Sequence, residues 1–540
     1  MSFESPPQTA SNPSIWLRGR TGWQLPLVLL VAALLRLINL AGRPLWYDEA
    51  FAILYAEKPF DTMIYGTVAQ VGGTAADVHP IFFYSLLHVW MRWVGQTPFA
   101  VRCLSVILGV ATVAMVYSLT RELAGPRRGI AAAGITAVAP LAVYYSQEAR
   151  MYALLGLAGV CTAYAFLRAW KLGKWGWWLA FGVAGAVTLY AHNLGVVFLV
   201  GLDAWGFFAC IKERRARQLV PWFLAHVLMF GLFAPWLAFL PGQLGKIQQA
   251  YWVQRPGLVT LVQTLLVFHF GYDNQSLQPW LLPPALFFSL LLPVMVTFQL
   301  ICWRRQPEGR RQASPSFGDW LLICLALIPI LLLFLISQVR SVYIIRALLP
   351  SALAYYALLG VVLFDRRLPV PIRWGLLGPA AVIVALSLFN HYTYIGFPRG
   401  PYDQMVGYLR SHALPGDAIV HSNKLTFFPT YIYDRNLPQS FIADEPGSPE
   451  DTLAYPTQQA LGLYASADLE TATAGHDRVW LVLFDRAIDE YRAAGYSDHP
   501  HRLWMAQHYT LVSVTRFGDL NVNEYEPGPS PSARSSGGHL

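Results

Sequence analysis

From residue 23 to residue 394 the chain is a succession of apolar segments, most about twenty residues long, separated by short polar connections. That is the length an α-helix needs to cross a bilayer, and inside a bilayer each segment must satisfy its backbone hydrogen bonds internally. The pattern therefore points to an α-helical polytopic membrane protein. Composition agrees: 55% of residues are hydrophobic and 13% are charged, where a soluble domain carries about 25% charge. The formal net charge of +8 would suit a nucleic-acid partner, but the Lys and Arg residues fall in short tracts between apolar segments. There they orient a membrane protein, and no nucleic-acid partner is expected. The five cysteines, Cys103, Cys161, Cys210, Cys302 and Cys324, lie in or beside apolar segments without CxxC spacing. They suggest neither a disulfide framework nor a zinc site.

The segments expected to cross are 23–40, 99–119, 129–145, 151–170, 175–190, 194–211, 219–240, 281–303, 320–337, 346–364 and 374–394, about eleven in all. Residues 1–15 are polar, rich in Ser and Pro, and expected to be disordered. Arg18 and Arg20 precede a first segment that is too long for a signal peptide and lacks a small-residue cleavage site, so the amino terminus is expected in the cytoplasm. Residues 79–94 (HPIFFYSLLHVWMRWV) are apolar enough to pass for a further span. If they crossed, Arg121, Arg127 and Arg128 would lie outside and every later basic tract would invert. If they do not, these residues fall inside, with Lys171 and Lys174, the tract Lys212 to Arg217, the tract Arg304 to Arg311, and Arg366, Arg367 and Arg373. Residues 79–94 are therefore read as an interfacial helix on the outer face, with Ser85, His88 and Arg92 at helical spacing and a Phe, Leu and Trp face toward lipid.

A second surface helix is expected within 241–279. Beyond 397 the apolar runs stop. Helices at 403–412 and 487–494 and strands at 418–420, 479–484 and 509–516 suggest a small α/β extracytoplasmic domain over 397–526, followed by a disordered tail, 527–540.

The first outer loop carries Leu45-Trp46-Tyr47-Asp48-Glu49-Ala50, two adjacent carboxylates just after the first apolar segment, and then Asp77-Val78-His79-Pro80. A charged pair beside a span points to function, although in isolation such a pair more often marks a solvated loop. With the loops assigned by charge, Arg36, Asp48, Glu49, His79, Glu148, Arg150, Tyr152, His192, Arg340 and Arg346 converge on one face. Carboxylates alone would suit a cation pathway, and basic groups alone an anionic headgroup. Both together suit a reaction in which one group takes a proton from an acceptor while others hold a leaving phosphate. Arg36, about one turn from the outer end of its segment, either snorkels to the headgroups or turns inward toward an anion. The outer loops hold no Asp-x-Asp and no histidines at metal-ligand spacing, so neither a metal nor another cofactor is expected.

The order of an Arg-Leu ending the first span, Leu45 to Ala50, His79-Pro80, and Arg102 with Ser105 opening the next span resembles the polytopic GT-C glycosyltransferases of glycosyltransferase family 39 and its relatives. These include protein O-mannosyltransferases, aminoarabinose transferases acting on lipid A, and galacturonosyltransferases of lipopolysaccharide core. Ser146 to Tyr152 (SQEARMY), Tyr190 to Asn193 (YAHN) and Arg346 to Pro350 (RALLP) extend the resemblance over residues 23–363. It departs at Ile81, where many members have a second proline, and at Ala347, where Tyr is usual. The resemblance implies a GT-C fold and transfer of a monosaccharide from a polyprenyl-phosphate carrier to a hydroxyl of a lipid, polysaccharide or protein, with inversion at the anomeric carbon. The place implied is the outer face of a plasma membrane, and the outer domain, unlike those of eukaryotic relatives, suggests a bacterium.

On this reading Asp48, partly desolvated at the membrane boundary, is the base, and Glu49 orients the acceptor or a neighbouring cation. The leaving phosphate monoester, whose second pKa is about 6, needs positive charge more than a protonating acid. Arg150 and Arg346 are expected to supply it, with Arg36 and His79 behind them. Glu148 is expected to pair with Arg150, Tyr152 to sit in the interfacial belt or on the phosphate, and His192 to bind substrate or, as easily, to be a satisfied interfacial histidine. A transporter or lipid flippase is the competing reading, which expects ionisable residues near the bilayer midplane and paired halves. Here most charges lie at the outer ends of segments. A receptor or assembly scaffold would leave Asp48, Glu49 and Arg346 without a role.

Overall fold

The computed structural model describes residues 22–72, 74–249, 253–271, 279–304, 319–365, 368–448 and 450–527. The expected disordered ends, 1–15 and 527–540, lie outside these residues except for Pro527, which ends a strand, and so do Arg18, Arg20, Arg305, Arg310, Arg311, Arg366 and Arg367. Among the described residues eight helices are long and apolar enough to cross a membrane, nine if the bent pair Pro126–Val138 and Pro140–Ser146 is one span. The helices Gln24–Leu37, of 14 residues, and Trp175–Ala191, of 17, account for the other two expected segments.

The 62° bend in that pair follows from Pro140, which has no N–H to offer the Thr136 carbonyl. Arg36 takes its place from the neighbouring helix Gln24–Leu37, donating to the carbonyls of Thr136 (3.5 Å) and Ala137 (3.0 Å) and to Ser146 Oγ (3.0 Å). Helix Pro98–Ala124 meets the bend at Gly109, where a Cβ would lie 2.0 Å from Ser146 Oγ. Only a residue without a side chain lets the backbones come this close.

Contacts sort the connections into two sets. At one end Arg128 pairs with Asp365, Glu122 binds Arg168 (2.9 Å) and Lys171 (3.2 Å), and Arg215 donates to the Trp170 carbonyl (2.9 Å). At the other end gather the helices Tyr47–Ala56, Phe60–Val68 and Phe82–Val94, with a short antiparallel pair, β1 (Gln70–Val71) and β2 (Thr74–Ala75). Phe82–Val94 has 13 residues, about 20 Å of helix and too short to cross. Phe82, Val89 and Trp93 are exposed, whereas Phe83 and Leu87 are buried against the protein with Tyr84 and Met91. His88 bonds the Ala56 carbonyl (2.7 Å) and Trp90 Nε1 donates to the Ala100 carbonyl (2.8 Å), which fixes the helix in this rotation. The 241–279 connection holds two described helices, Leu240–Gln249 and Leu258–Phe270, where one was expected.

Beyond Thr393 the helices shorten and a five-stranded sheet forms from β3 (Ala418–His421), β4 (Gln439–Phe441), β5 (Val479–Phe484), β6 (Tyr509–Phe517) and β7 (Leu520–Pro527). The order is β4-β3-β5-β7-β6, with the first three strands parallel and β7 and β6 antiparallel. β5, VWLVLF, is buried throughout, as a strand covered on both faces must be. β7 has no clean apolar alternation because it buries Asn521, Asn523 and Glu524, of which Glu524 binds Arg478 and Asn521 binds Asp485. The sheet unit rests on the loops at this second end: the Phe428 ring lies 5.5 Å from Tyr47, Thr457 Oγ1 donates to the Gly66 carbonyl (2.8 Å), and Arg435 pairs with Glu57. One apolar core continues from the helices into Phe427, Phe428, Phe441 and Leu461.

Candidate active site

Asp48 and Glu49 open the helix Tyr47–Ala56, where negative charge suits the positive end of the helix dipole. Consecutive helical residues point about 100° apart, so the two carboxylates enter different surroundings.

Asp48 stays partly open to its surroundings. Its side chain keeps 16% of its exposure, and Oδ2 lies 3.6 Å from Arg150 Nη2 and 3.4 Å from Arg346 Nη1. Arg150 also reaches the Asp48 carbonyl (3.4 Å) and Tyr84 Oη (3.3 Å). The Arg346 guanidinium stacks over the Tyr152 ring at 5.4 Å, and the His192 ring is 6.0 Å from both Tyr152 and His79. Among the described residues the buried Tyr152 Oη has no hydrogen-bond partner. His192 Nδ1 accepts the Leu194 N–H (3.1 Å), which places the proton of the neutral ring on Nε2, buried and also without a partner. Burial, then His79, Arg346 and Arg150, push His192 well below the ordinary histidine value, so the ring is neutral. His79 binds Asp77 Oδ1 (3.0 Å). Burial would raise the Asp77 carboxyl, but His79 and the N–H groups of Val78 and His79 hold it below its ordinary value.

Glu49 lies in a sealed compartment. Arg102 donates from Nε to Oε1 (2.8 Å) and from Nη2 to Oε2 (2.7 Å), Arg399 Nη1 donates to Oε2 (2.8 Å), and the Ala149 N–H donates to Oε1 (3.1 Å). Arg102 spends its other bonds on the carbonyls of Leu40, Arg43 and Pro44. Arg399 Nη2 donates to Glu148 Oε1 (2.6 Å). Burial alone would raise both carboxyls. Glu49, between two arginines, is held well below the carboxylate range, whereas Glu148 stays above its ordinary value because burial outweighs its contact with Arg399.

Asp48, Arg150, Arg346, Tyr152, His192 and His79 thus come together, while other expected site residues do not join them. Arg36 turns inward, but onto backbone carbonyls at the Pro140 bend and not toward an anion. Glu148 pairs with Arg399, not Arg150, because Arg150 is taken by Asp48. Tyr152 is 1% exposed, inside the site and out of any interfacial belt. Arg340 is exposed at the end of helix Asp319–Val339. Arg102 and Arg399 were given no role from sequence. An arginine in the apolar opening of a span demands a partner, which was the available signal for Arg102. Arg399, between Pro398 and Gly400 past the last span, carried no comparable signal. Among the described residues no cluster of three or more His, Cys, Asp or Glu side chains is placed to hold a metal ion.

Residues 78–239 match the sequence model of the family described as dolichyl-phosphate-mannose-protein mannosyltransferase. No curated protein sequence matches the chain. The fold is similar to that of ArnT from Cupriavidus metallidurans, solved bound to undecaprenyl phosphate: TM-score 0.62 at 15% identity, over 94% of this chain and 98% of that one. It is also similar to the Archaeoglobus fulgidus oligosaccharyltransferase, solved in complex with Zn and sulfate: TM-score 0.51 at 15% identity, over 92% of this chain and 73% of that one. With its apolar helices and its α/β unit, the chain is a multi-pass membrane protein with a GT-C fold.

Proposed function

We propose that the chain transfers a monosaccharide from a polyprenyl-phosphate carrier to an acceptor hydroxyl, with Asp48 as base and Arg150 and Arg346 as the phosphate clamp. The observation that carries this reading is the partly exposed Asp48 Oδ2 lying within 3.6 Å of both guanidinium groups. Among the described residues Tyr152 Oη and His192 Nε2 lie beside it as buried donors without a partner. A phosphate entering beside Asp48 competes for the two arginines, whose planar forks suit its oxygens. Drawn off Asp48, they leave its carboxylate to accept the acceptor's proton. The acceptor oxygen then bonds to the anomeric carbon as the carbon–phosphate oxygen bond breaks, and the electron pair leaves with the phosphate. Arg150, Arg346, Tyr152 Oη and His192 Nε2 stabilise that charge. Attack opposite the phosphate inverts the anomeric centre. Glu49 serves this chemistry as a framework group, since its oxygens already accept four bonds.

The basic tracts support an orientation with the amino terminus in the cytoplasm and with Asp48 and the unit 397–526 on the outer face, in our reading that of a bacterial plasma membrane. The undecaprenyl phosphate bound to ArnT supports a polyprenyl carrier. The acceptor is a lipid, polysaccharide or protein met on that face. The test is to incubate the protein in nanodiscs with radiolabelled undecaprenyl-phosphate sugars and candidate acceptors. Release of undecaprenyl phosphate with movement of label to one acceptor class is the expected result. Protein that binds undecaprenyl phosphate but moves no label from any donor would contradict the reading.

A further inference from the structure

Arg399 lies beyond the last span, in the stretch Pro398-Arg399-Gly400-Pro401 that leads into the sheet unit, yet its side chain is wholly buried at the membrane-side site. Its guanidinium joins two outer loops. Nη1 donates to the Pro44 carbonyl (2.9 Å) and to Glu49 (2.8 Å), and Nη2 donates to Glu148 (2.6 Å). Glu49 adjoins Asp48 in the chain, and Glu148 stands two residues before Arg150. Arg102 cannot serve the same end, because every bond it makes stays within the first loop and its helix: Leu40, Arg43, Pro44 and Glu49. Gln147 also links the loops, but further back, at the carbonyls of Arg36 and Ile38, and the Ala149 N–H adds one longer bond to Glu49 Oε1 (3.1 Å), so among the described residues Arg399 alone ties Glu49 to Glu148.

We infer that Arg399 is a positioning residue: by tying Glu49 to Glu148 it sets the spacing between Asp48 and Arg150, so that the carboxyl-terminal unit completes the active site. The inference rests on the proposed function for the roles of Asp48 and Arg150. A planar guanidinium is the group that can hold two carboxylates in fixed, different directions at once, which an ammonium on a flexible stem does not. Burying so many charges adds little net stability over a well-packed apolar cluster, which favours a role in geometry for this arrangement.

The test uses the full chain in nanodiscs. Arg399→Lys and Arg399→Gln are compared with Arg435→Gln, which removes an ion pair to Glu57 across the same contact between unit and loops. Hydrogen exchange without ligand is the first readout. Both Arg399 variants are expected to exchange faster in 45–52 and 146–152, with Phe60–Val68 and the sheet unchanged, and Arg435→Gln is expected to leave 45–52 and 146–152 as in the wild type. Undecaprenyl phosphate binding is the second. Arg399→Gln should weaken it about tenfold and Arg399→Lys less, and in an Arg150→Gln background the effect should shrink to about twofold or less, because coupled residues are non-additive. Glu148→Gln removes one arm of the brace with a neutral isostere and should give the same pattern in smaller degree if Arg399→Gln does not fold. Faster exchange across Phe60–Val68 and the sheet, with 45–52 and 146–152 unchanged, would reduce Arg399 to a fastener of the outer unit. Full additivity with Arg150→Gln would overturn the inference equally. Wild-type protein that does not bind undecaprenyl phosphate counts against the proposed donor, and hydrogen exchange still decides the brace.

Discussion

Asp48 and Glu49 are neighbours in the chain and opposites in their surroundings. Around Glu49 and Glu148 the contacts to arginine are 2.6–2.8 Å and the side chains are sealed from solvent. Around Asp48 they are 3.4–3.6 Å and the carboxylate, Arg346 and His79 keep 16%, 12% and 23% of their exposure. The short bonds that fill both Glu49 oxygens leave them no capacity for a ligand. Long, incomplete ones can be exchanged for a phosphate at small cost. One half of the site is therefore a frame and the other, on the proposed function, the reaction centre, and the single helical step between two residues separates them.

The largest effect expected from breaking this contrast is on stability. Glu49→Gln leaves Arg102 and Arg399 short of a buried counter-charge, a loss of about 3–5 kcal/mol, whereas Asp48→Asn should cost within about 1 kcal/mol, as for a partly exposed pair. Thermal denaturation in detergent compares them, and equal melting temperatures would erase the distinction between the halves. Next comes ligand affinity. Arg346→Ala should weaken undecaprenyl phosphate binding by about 10- to 100-fold, the range for charge-assisted hydrogen bonds, and Arg346→Lys should recover part, as read by fluorescence titration. Undiminished binding would leave Arg346 as a partner of Asp48 alone. Tyr152→Phe is a finer probe. It should weaken the same binding about fivefold without lowering the melting temperature, since Oη has no partner to lose in the free protein; a drop in melting temperature would contradict this.

The smallest expected effect is with pH. His192 is held well below the ordinary histidine value, so as pH falls below about 6.5 the unfolded chain takes the proton first. The stabilisation from neutral His192 is complete above that pH and declines below it. Burial also holds His421 down to about 3, and burial above all holds His499 and His501 down to about 4. His192→Asn should therefore flatten, and not abolish, the fall in melting temperature between about pH 7.5 and 5. A steeper fall would mean that His192 is charged in the folded site.

What sequence could show follows the same contrast. The apolar segments and the basic tracts between them are local signals, and they identify the helices and bring Asp48, Arg150, His192 and Arg346 to one end. The frame is non-local: of the two arginines that clamp Glu49, Arg399 lies 350 residues away, and nothing near Glu49 names it. Glu148 and Arg150 invite pairing by proximity in the chain, but burial gives Asp48 to Arg150 and leaves Glu148 for Arg399. Arg36 carried a readable clue, since Pro140 must free a carbonyl that needs a donor, but pairing the two requires knowing that their helices touch. In the sheet, β5 announces itself as an unbroken apolar run, whereas β4, with three residues, and β7, with its buried Asn and Glu, depend on partners that only the folded unit supplies.

The claim that Asp48 is the reacting carboxylate is tested most directly by Asp48→Asn, assayed with whichever undecaprenyl-phosphate sugar serves the wild type as donor. The amide keeps the shape and leaves the arginines in place, so undecaprenyl phosphate should still bind while turnover falls by roughly 10²- to 10⁴-fold, the range for loss of a general base. Folded Asp48→Asn protein that turns over at the wild-type rate would contradict the account.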